Sequence, residues 1–468
     1  MPDPDLPAET DQTDRAHKTG LARVLSQRDL VLLIIGSVIG SGIFLVPPTV
    51  LKEVGGSAPI ALSVWIVGGV LSLLGALTYG EMGAMKPQAG GIYVFIRDGF
   101  GRLPAFLYGW TLITVINSAG VAALAVAAST NLALLVPIGP WEQKGIAVGM
   151  IAVLAAVNVW GTRQSADLQN WTTAIKAGAI LVMSAVLITL TPRGVRPAVA
   201  AVPHLETSLA SAFGVAMIGV LWAYEGWQSV TFSAGETVNP HRTFPRAFVI
   251  GTVALIGIYM TANFAYLSAL GPNSLAHAKN AASESLQVVV GVWAAKLVLV
   301  AILISMFSAA NANFLTGPRV YYAMALDGLF FTRLSIVHHR FRTPAFAIVA
   351  GAVCSAIFAA SGTFDQLLTY VVFAGWIFYA LGAAAIFVYR RREPDAVRPF
   401  RVPGYPWTPL LYIFSAMALV ANTIISKPMD AAVGLSLVAI GIPAYLFWRT
   451  RKSALISETV EEIEPDLT

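Results

Sequence analysis

Glu225 and Lys176 are ionisable residues set inside long apolar runs. A charge near a bilayer centre costs about 2.5–3.5 kcal/mol on insertion scales, so one that persists there is by default part of a pathway, a binding site or a buried pair. Glu225 sits in Trp222-Ala223-Tyr224-Glu225-Gly226-Trp227-Gln228. Its carboxylate suits three kinds of chemistry: pairing with a cationic ligand group, pairing with a cation of the protein, or titration that couples to protons. Lys176, read alone, is an amphipathic side chain able to snorkel to an interface. A third feature is uncharged. In Gly36-Ser37-Val38-Ile39-Gly40-Ser41-Gly42-Ile43-Phe44, three glycines and two serines fall within residues 36–42 and weaken a helix. Its bland reading is close helix packing through the Gly36–Gly40 GxxxG pair.

An interrupted membrane helix has a chemistry of its own. One half-helix begins with unpaired N–H groups and binds an anion; the other ends with unpaired C=O groups and binds a cation. Two facing interruptions suit a zwitterion, and an α-amino acid carries both charges on one carbon. The carboxylate is expected on the amides of Gly40, Ser41 and Gly42. The ammonium is expected on carbonyls of Val38 or Ile39 and of Trp222, Ala223 or Glu225.

These residues must be positioned by membrane helices. Only 12% of the 468 residues are charged and 56% are hydrophobic, against about 25% charged in soluble domains. A soluble fold of this length could not cover its surface, which excludes a cytosolic enzyme, a nucleic-acid binder and a disordered scaffold. Twelve runs are long enough to span a bilayer: roughly 29–51, 58–84, 103–136, 144–161, 171–191, 209–234, 246–270, 288–317, 343–361, 365–389, 407–426 and 431–449. The first and sixth, which carry the interruptions, occupy corresponding positions of a five-plus-five inverted repeat, a pattern that points to a transport site. The repeats are 29–191 and 209–389, with 407–449 supplying two further spans. The tails 1–28 and 453–468, polar and acidic, are expected to be disordered.

With the N-terminus inside, all but seven of the 30 Lys and Arg fall on or near the cytoplasmic side. The exceptions are Lys52, Lys144, Arg193, Arg196, Lys279, Lys296 and Lys427. The positive-inside rule therefore puts both termini in the cytoplasm and explains the net charge of +5 without nucleic acid. The single cysteine, Cys354, excludes an internal disulfide and a Cys-cluster metal site. No HExxH or Gly-x-Ser-x-Gly motif supports an intramembrane enzyme, no repeated filter loop supports a channel, and no cofactor is implied.

Taken together, these motifs make the chain resemble the amino acid–polyamine–organocation superfamily, and most of all its L-type amino acid transporters of bacterial type. The likeness runs over about residues 28–450. It is carried by Val38 to Phe44, Tyr79-Gly80-Glu81-Met82-Gly83, Pro87-Gln88-Ala89-Gly90-Gly91-Ile92-Tyr93, Trp222 to Trp227, Gly235-Glu236 with Asn239-Pro240 and Pro245-Arg246, Arg319, and Arg398-Pro399-Phe400. The resemblance implies an all-α LeuT-type fold of twelve helices with the first and sixth broken. It implies alternating-access transport of L-amino acids across the plasma membrane, as an exchanger or, alternatively, a proton-coupled uptake symporter. It gives Trp222 the role of covering the substrate from outside. It makes Lys176, in the setting Leu168-Gln169-Asn170 to Lys176-Ala177-Gly178, a stand-in for the sodium of related symporters, hence sodium-independent transport. Glu225 is similar to the acid of members that accept cationic amino acids and cystine. Glu81, Glu236, Arg246 and Arg319 are expected to form a cytoplasmic gate network, although Ala325-Leu326-Asp327-Gly328 departs from the family's usual Arg-Glu-Gly. Animal members join an accessory glycoprotein through a cysteine between spans 3 and 4. The corresponding loop here, Pro137 to Gly145, has none, so no such partner is expected.

Overall fold

The structure, a computed structural model, describes residues 21–133, 135–191, 208–361, 364–426 and 428–450. Ser26 starts the first helix with a capping box: its hydroxyl accepts from the Asp29 amide at 3.3 Å, and the Asp29 carboxylate accepts from the Ser26 amide at 2.8 Å. The helices are α1 Gln27–Val38, α2 Gly42–Glu53, α3 Ala58–Met85, α4 Ile92–Phe100, α5 Arg102–Thr111, α6 Asn117–Leu132, α7 Pro140–Trp160, α8 Thr162–Leu190 and α9 Leu209–Ala223. They continue with α10 Pro240–His277, α11 Ala281–Val289, α12 Val292–Thr316, α13 Pro318–Leu326, α14 Ala345–Ser361, α15 Phe364–Arg392, α16 Trp407–Ser426 and α17 Pro428–Ala439. A π-helical turn, Leu112–Ile116, joins α5 to α6, and a 3-10 segment, Trp227–Glu236, follows α9. No strand occurs among the described residues; Leu25 and Thr237 form an isolated bridge.

The sequence predicts twelve spans. Among the described residues, ten helices are long and apolar enough to cross a membrane, or eleven with the bent pair α1 and α2 counted as one. The remaining run, 343–361, forms α14, whose 17 described residues reach about 26 Å and end where residues 362–363 lie outside the description.

Of the expected tails, residues 1–20 and 453–468 lie outside the described residues. The segment just before α1 departs from that expectation. The Val24 and Leu25 amides donate to the Glu236 carbonyl, both at 2.9 Å, and Leu25 has no exposed surface. This satisfies backbone groups of two elements at once and fixes the start of α1 against the end of the 3-10 segment.

The interior is organised around α1, which packs on α8, α10, α12 and the 3-10 segment. Gly36 permits the closest of these approaches. A Cβ there would fall 2.1 Å from the Gln169 Nε2 and Thr173 Oγ1 atoms of α8. The packing reading of Gly36 is thus correct, and it brings the α1 backbone within reach of Lys176, one turn further along α8.

A cavity at two helix breaks

α1 ends at Val38 and α2 starts at Gly42, with a bend of 48° between them. α9 ends at Ala223, and the chain turns through Gly226, φ +125°, into the 3-10 segment. The two breaks touch. A Cβ on Gly226 would stand 2.8 Å from the Ser37 carbonyl oxygen, and one on Gly42 would stand 2.8 Å from Cα of Ala223. Real Cβ atoms do not approach that closely, so glycine at both positions is what lets the interruptions meet.

Where they meet is a cavity of about 120 Å³. Val38, Gly40, Ser41, Gly42, Trp222, Ala223 and Glu225 line it, all of them expected from the sequence. Ile39 does not. Its carbonyl is turned away, accepting from the Lys176 ammonium at 2.6 Å and the Ser305 hydroxyl at 3.0 Å.

Sequence reasoning missed Asn117, Gln228, Ser229, Asn313 and Tyr379, which also line the cavity. A signal existed for Asn117: a polar residue in an apolar run, directly after the π-turn. Such turns gather at functional sites. Tyr379 had none, because an isolated tyrosine in a span reads as packing.

The carbonyl side of the first break is held by the protein itself. Lys176, 1% exposed, gives its ammonium to the Gly36 and Ile39 carbonyls at 2.6 Å each, with the Ser305 carbonyl at 3.5 Å. The side chain does not snorkel; it places a positive charge on carbonyls that the break leaves without helical partners. Ser305 adds its hydroxyl to the Gly40 carbonyl at 3.1 Å. Tyr259 of α10 spans both breaks, its hydroxyl lying 3.1 Å from the Val38 carbonyl and 3.0 Å from that of Ala223. The expected ammonium site on these carbonyls is therefore shared with Tyr259.

The amide side is open. Ser41 and Gly42, at the start of α2, line the cavity, and the first amides of a helix have no partner within it. The Gly40 amide, expected beside them, instead donates to the Val38 carbonyl at 2.8 Å, because the chain turns back on itself at the break. The Ser41 hydroxyl is buried without a hydrogen-bond partner. Glu225 faces it across the cavity. One carboxylate oxygen accepts from the Tyr379 hydroxyl at 2.9 Å, and the other is buried with no partner. Among the described residues no basic side chain pairs with Glu225.

The four expected gate residues do not form one network. Arg319 and Glu236 are a fully buried pair, Nε to carboxylate 2.6 Å, bridged by Thr162. Glu81 lies in a second cluster, accepting from Arg390 at 2.6 and 3.0 Å and from the Val402 amide at 2.6 Å. Arg246 is exposed and joins neither among the described residues. The reason is placement: Arg246 points off α10, while Glu81 turns toward α15 and the segment before α16. Two other ion-pair sets complete this end. Asp29 binds Arg163 at 3.0 Å, and Asp327, the departure noted in the sequence, binds Arg97 at 2.9 Å and the Tyr93 hydroxyl at 2.7 Å.

Long apolar helices around a small cavity define a multi-pass membrane protein. Comparison with known proteins gives the family. The model of the amino acid permease family matches residues 25–444, and the chain belongs to that family. It is 31% identical over 438 residues to the serine/threonine exchanger SteT of Bacillus subtilis, covering 93% of this chain and 99% of that one. It is 30% identical to the human cystine/glutamate transporter, covering 92% and 85%, and 30% identical to the mouse b(0,+)-type amino acid transporter 1, covering 88% and 86%. The protein is an amino acid transporter, not an enzyme.

Proposed function

We propose that the chain is a secondary active transporter that exchanges L-amino acids across the plasma membrane by alternating access, without sodium. The observation that carries this reading is the division of the first break. Lys176 occupies its carbonyl side, where a coupling cation would otherwise bind, while Ser41 and Gly42 line the cavity on the other side and the buried Ser41 hydroxyl has no hydrogen-bond partner. A substrate carboxylate is matched to that open side. Its ammonium is matched to the Val38 and Ala223 carbonyls beside Tyr259, and its side chain extends toward Glu225, under Trp222. Neutral substrates fit this arrangement, and cationic ones gain a counter-charge in Glu225. The names of the relatives, an exchanger of serine and threonine among them, support the amino acid class and the mode.

The same reading takes the fold as LeuT-type: twelve helices, repeats 29–191 and 209–389 with the first helix of each broken, and 407–449 as an addition. Both termini are cytoplasmic. The Glu236–Arg319 and Asp29–Arg163 pairs then close the inner side. No disulfide-linked glycoprotein is expected, since the 137–145 loop lacks cysteine and Cys354 lies on α14.

Proteoliposomes preloaded with unlabelled serine or another accepted amino acid should take up labelled substrate faster than empty vesicles. Equal uptake into both would remove exchange. A second reading, proton-coupled uptake of amino acids or polyamines, is favoured by the buried, unpartnered oxygen of Glu225. Abolition of uptake by a protonophore, with no acceleration by internal substrate, would select it.

A further inference from the structure

We propose that the groove between α7 and α14 holds one anionic phospholipid, its acyl chain between the helices and its phosphate on the basic loop before α14. The groove is apolar and runs from Trp160 and Phe341 at one end to Val148 and Ala356 at the other. Along α7 that is about 18 Å at 1.5 Å per residue, close to the ~15 Å that one acyl chain crosses in half of a ~30 Å core. Alanines open it: Ala152, Ala156 and Ala352 line its walls, leaving a chain-wide space between two helices that touch elsewhere.

What distinguishes this groove from ordinary lipid-facing surface is the loop at its Trp160 end. The Thr343 hydroxyl bonds the Val159 carbonyl at 2.8 Å, which ties the loop to the end of α7. Between Gly328 and Pro344 the chain carries Arg333, His338, His339, Arg340 and Arg342 and no acidic residue. The acid just before it, Asp327, is engaged by Arg97. Arg340 is exposed, lies over the ring of Phe341 at the mouth of the groove, 5.5 Å to its centroid, and forms no ion pair among the described residues; Arg333 lines a separate pocket with Phe346 and Cys354. Arg342 is held in the left-handed region, φ +56°, an unfavourable conformation for a side chain of this size. Its amide donates to the His338 carbonyl and the His338 amide to that of Thr343, both at 2.8 Å, so the loop keeps its shape.

Two further features set the depth. The basic loop directly precedes α14, and the positive-inside rule puts such a loop where a span meets the cytoplasmic lipid phosphates. Trp160, 62% exposed, stands at the same level, where interfacial tryptophans anchor. Basic clusters beside membrane helices recognise anionic headgroups by charge, and a zwitterionic lipid with the same chains would gain only the groove.

The test uses the full-length protein, purified in mild detergent and offered phosphatidylglycerol or phosphatidylcholine with identical acyl chains, with bound lipid counted by native mass spectrometry. Phosphatidylglycerol should be retained in preference. The variant Arg340→Gln should weaken it by about fivefold and leave phosphatidylcholine unchanged. Ala156→Trp, which fills the groove with the arginines intact, should also reduce retention. Unchanged melting temperatures show that both variants are folded. Equal retention of the two lipids by the wild type overturns the proposal, as does an Arg340→Gln variant or a groove-filled variant that retains phosphatidylglycerol like the wild type.

Discussion

At the scale of single residues, Glu225 and Lys176 divide the chemistry. Glu225 offers one carboxylate oxygen already fixed by Tyr379 and one that is free. Glu225→Gln keeps the shape and an acceptor for Tyr379 while removing the charge. If the carboxylate reads the substrate side chain, uptake of lysine, arginine and ornithine falls by tenfold or more (about 1.5–3 kcal/mol for a hydrogen bond to a charged group), and neutral substrates are unaffected. Unchanged selectivity together with lost proton dependence would assign Glu225 to coupling instead. Lys176→Met keeps the aliphatic stem but strips the ammonium from the Gly36 and Ile39 carbonyls. Leaving them unpaired should cost about 3 kcal/mol, read as a lower melting temperature, and should remove the extra stabilisation that added substrate gives. A variant that melts like the wild type would make Lys176 a bystander. Both charges were visible in the sequence because ionisable residues are rare in apolar runs. Tyr379, Tyr259 and Ser305 were not, since nothing in their types or spacing separates them from packing residues.

At the scale of elements, the two breaks work only because they meet. Gly226→Ala puts a Cβ against the Ser37 carbonyl in a backbone conformation that disfavours any side chain. A loss of about 1–3 kcal/mol is expected, together with weaker substrate binding; wild-type affinity in this variant would mean that the breaks tolerate separation. Gly42 is subject to the same constraint, so bulk there would report packing against Ala223 as much as access for a carboxylate. The Glu236–Arg319 pair joins the 3-10 segment to α13 with no solvent exposure. Arg319→Met strands a buried carboxylate, at about 3–5 kcal/mol, whereas Arg319→Met/Glu236→Leu should recover most of that stability. Thermal unfolding of the single and double variants checks this. If the double variant is stable but does not transport, the pair serves opening and closing rather than folding. Glu236 and Arg319 could be named from the sequence, but not as a pair: their separation along the chain is large, and Arg246 looked equally eligible.

At the scale of the whole molecule, the ammonium of Lys176 makes a prediction about coupling. Replacing sodium by choline on both sides of a proteoliposome should leave uptake unchanged. A steep sodium dependence would show that a metal ion binds elsewhere in the transport cycle. Twelve apolar runs are legible in the chain; among the described residues eleven of them form spans, counting the bent pair as one, and the twelfth, 343–361, forms the 17 described residues of α14.

The sequence by itself determined that this chain lives in a membrane, which of its charges are exceptional, and where its helices weaken. These are properties of composition and local pattern, set by the cost of burying charge and of breaking a helix in lipid. Only the tertiary structure decided which groups those features face. It turned the Ile39 carbonyl toward Lys176 and out of the cavity, brought Tyr379 to Glu225 across 154 residues, and split the expected gate into separate ion-pair clusters. Such pairings depend on how helices distant in the chain rotate against one another. That rotation is set by close contacts such as those of Gly36, Gly42 and Gly226, which can be read only once both partners are in place.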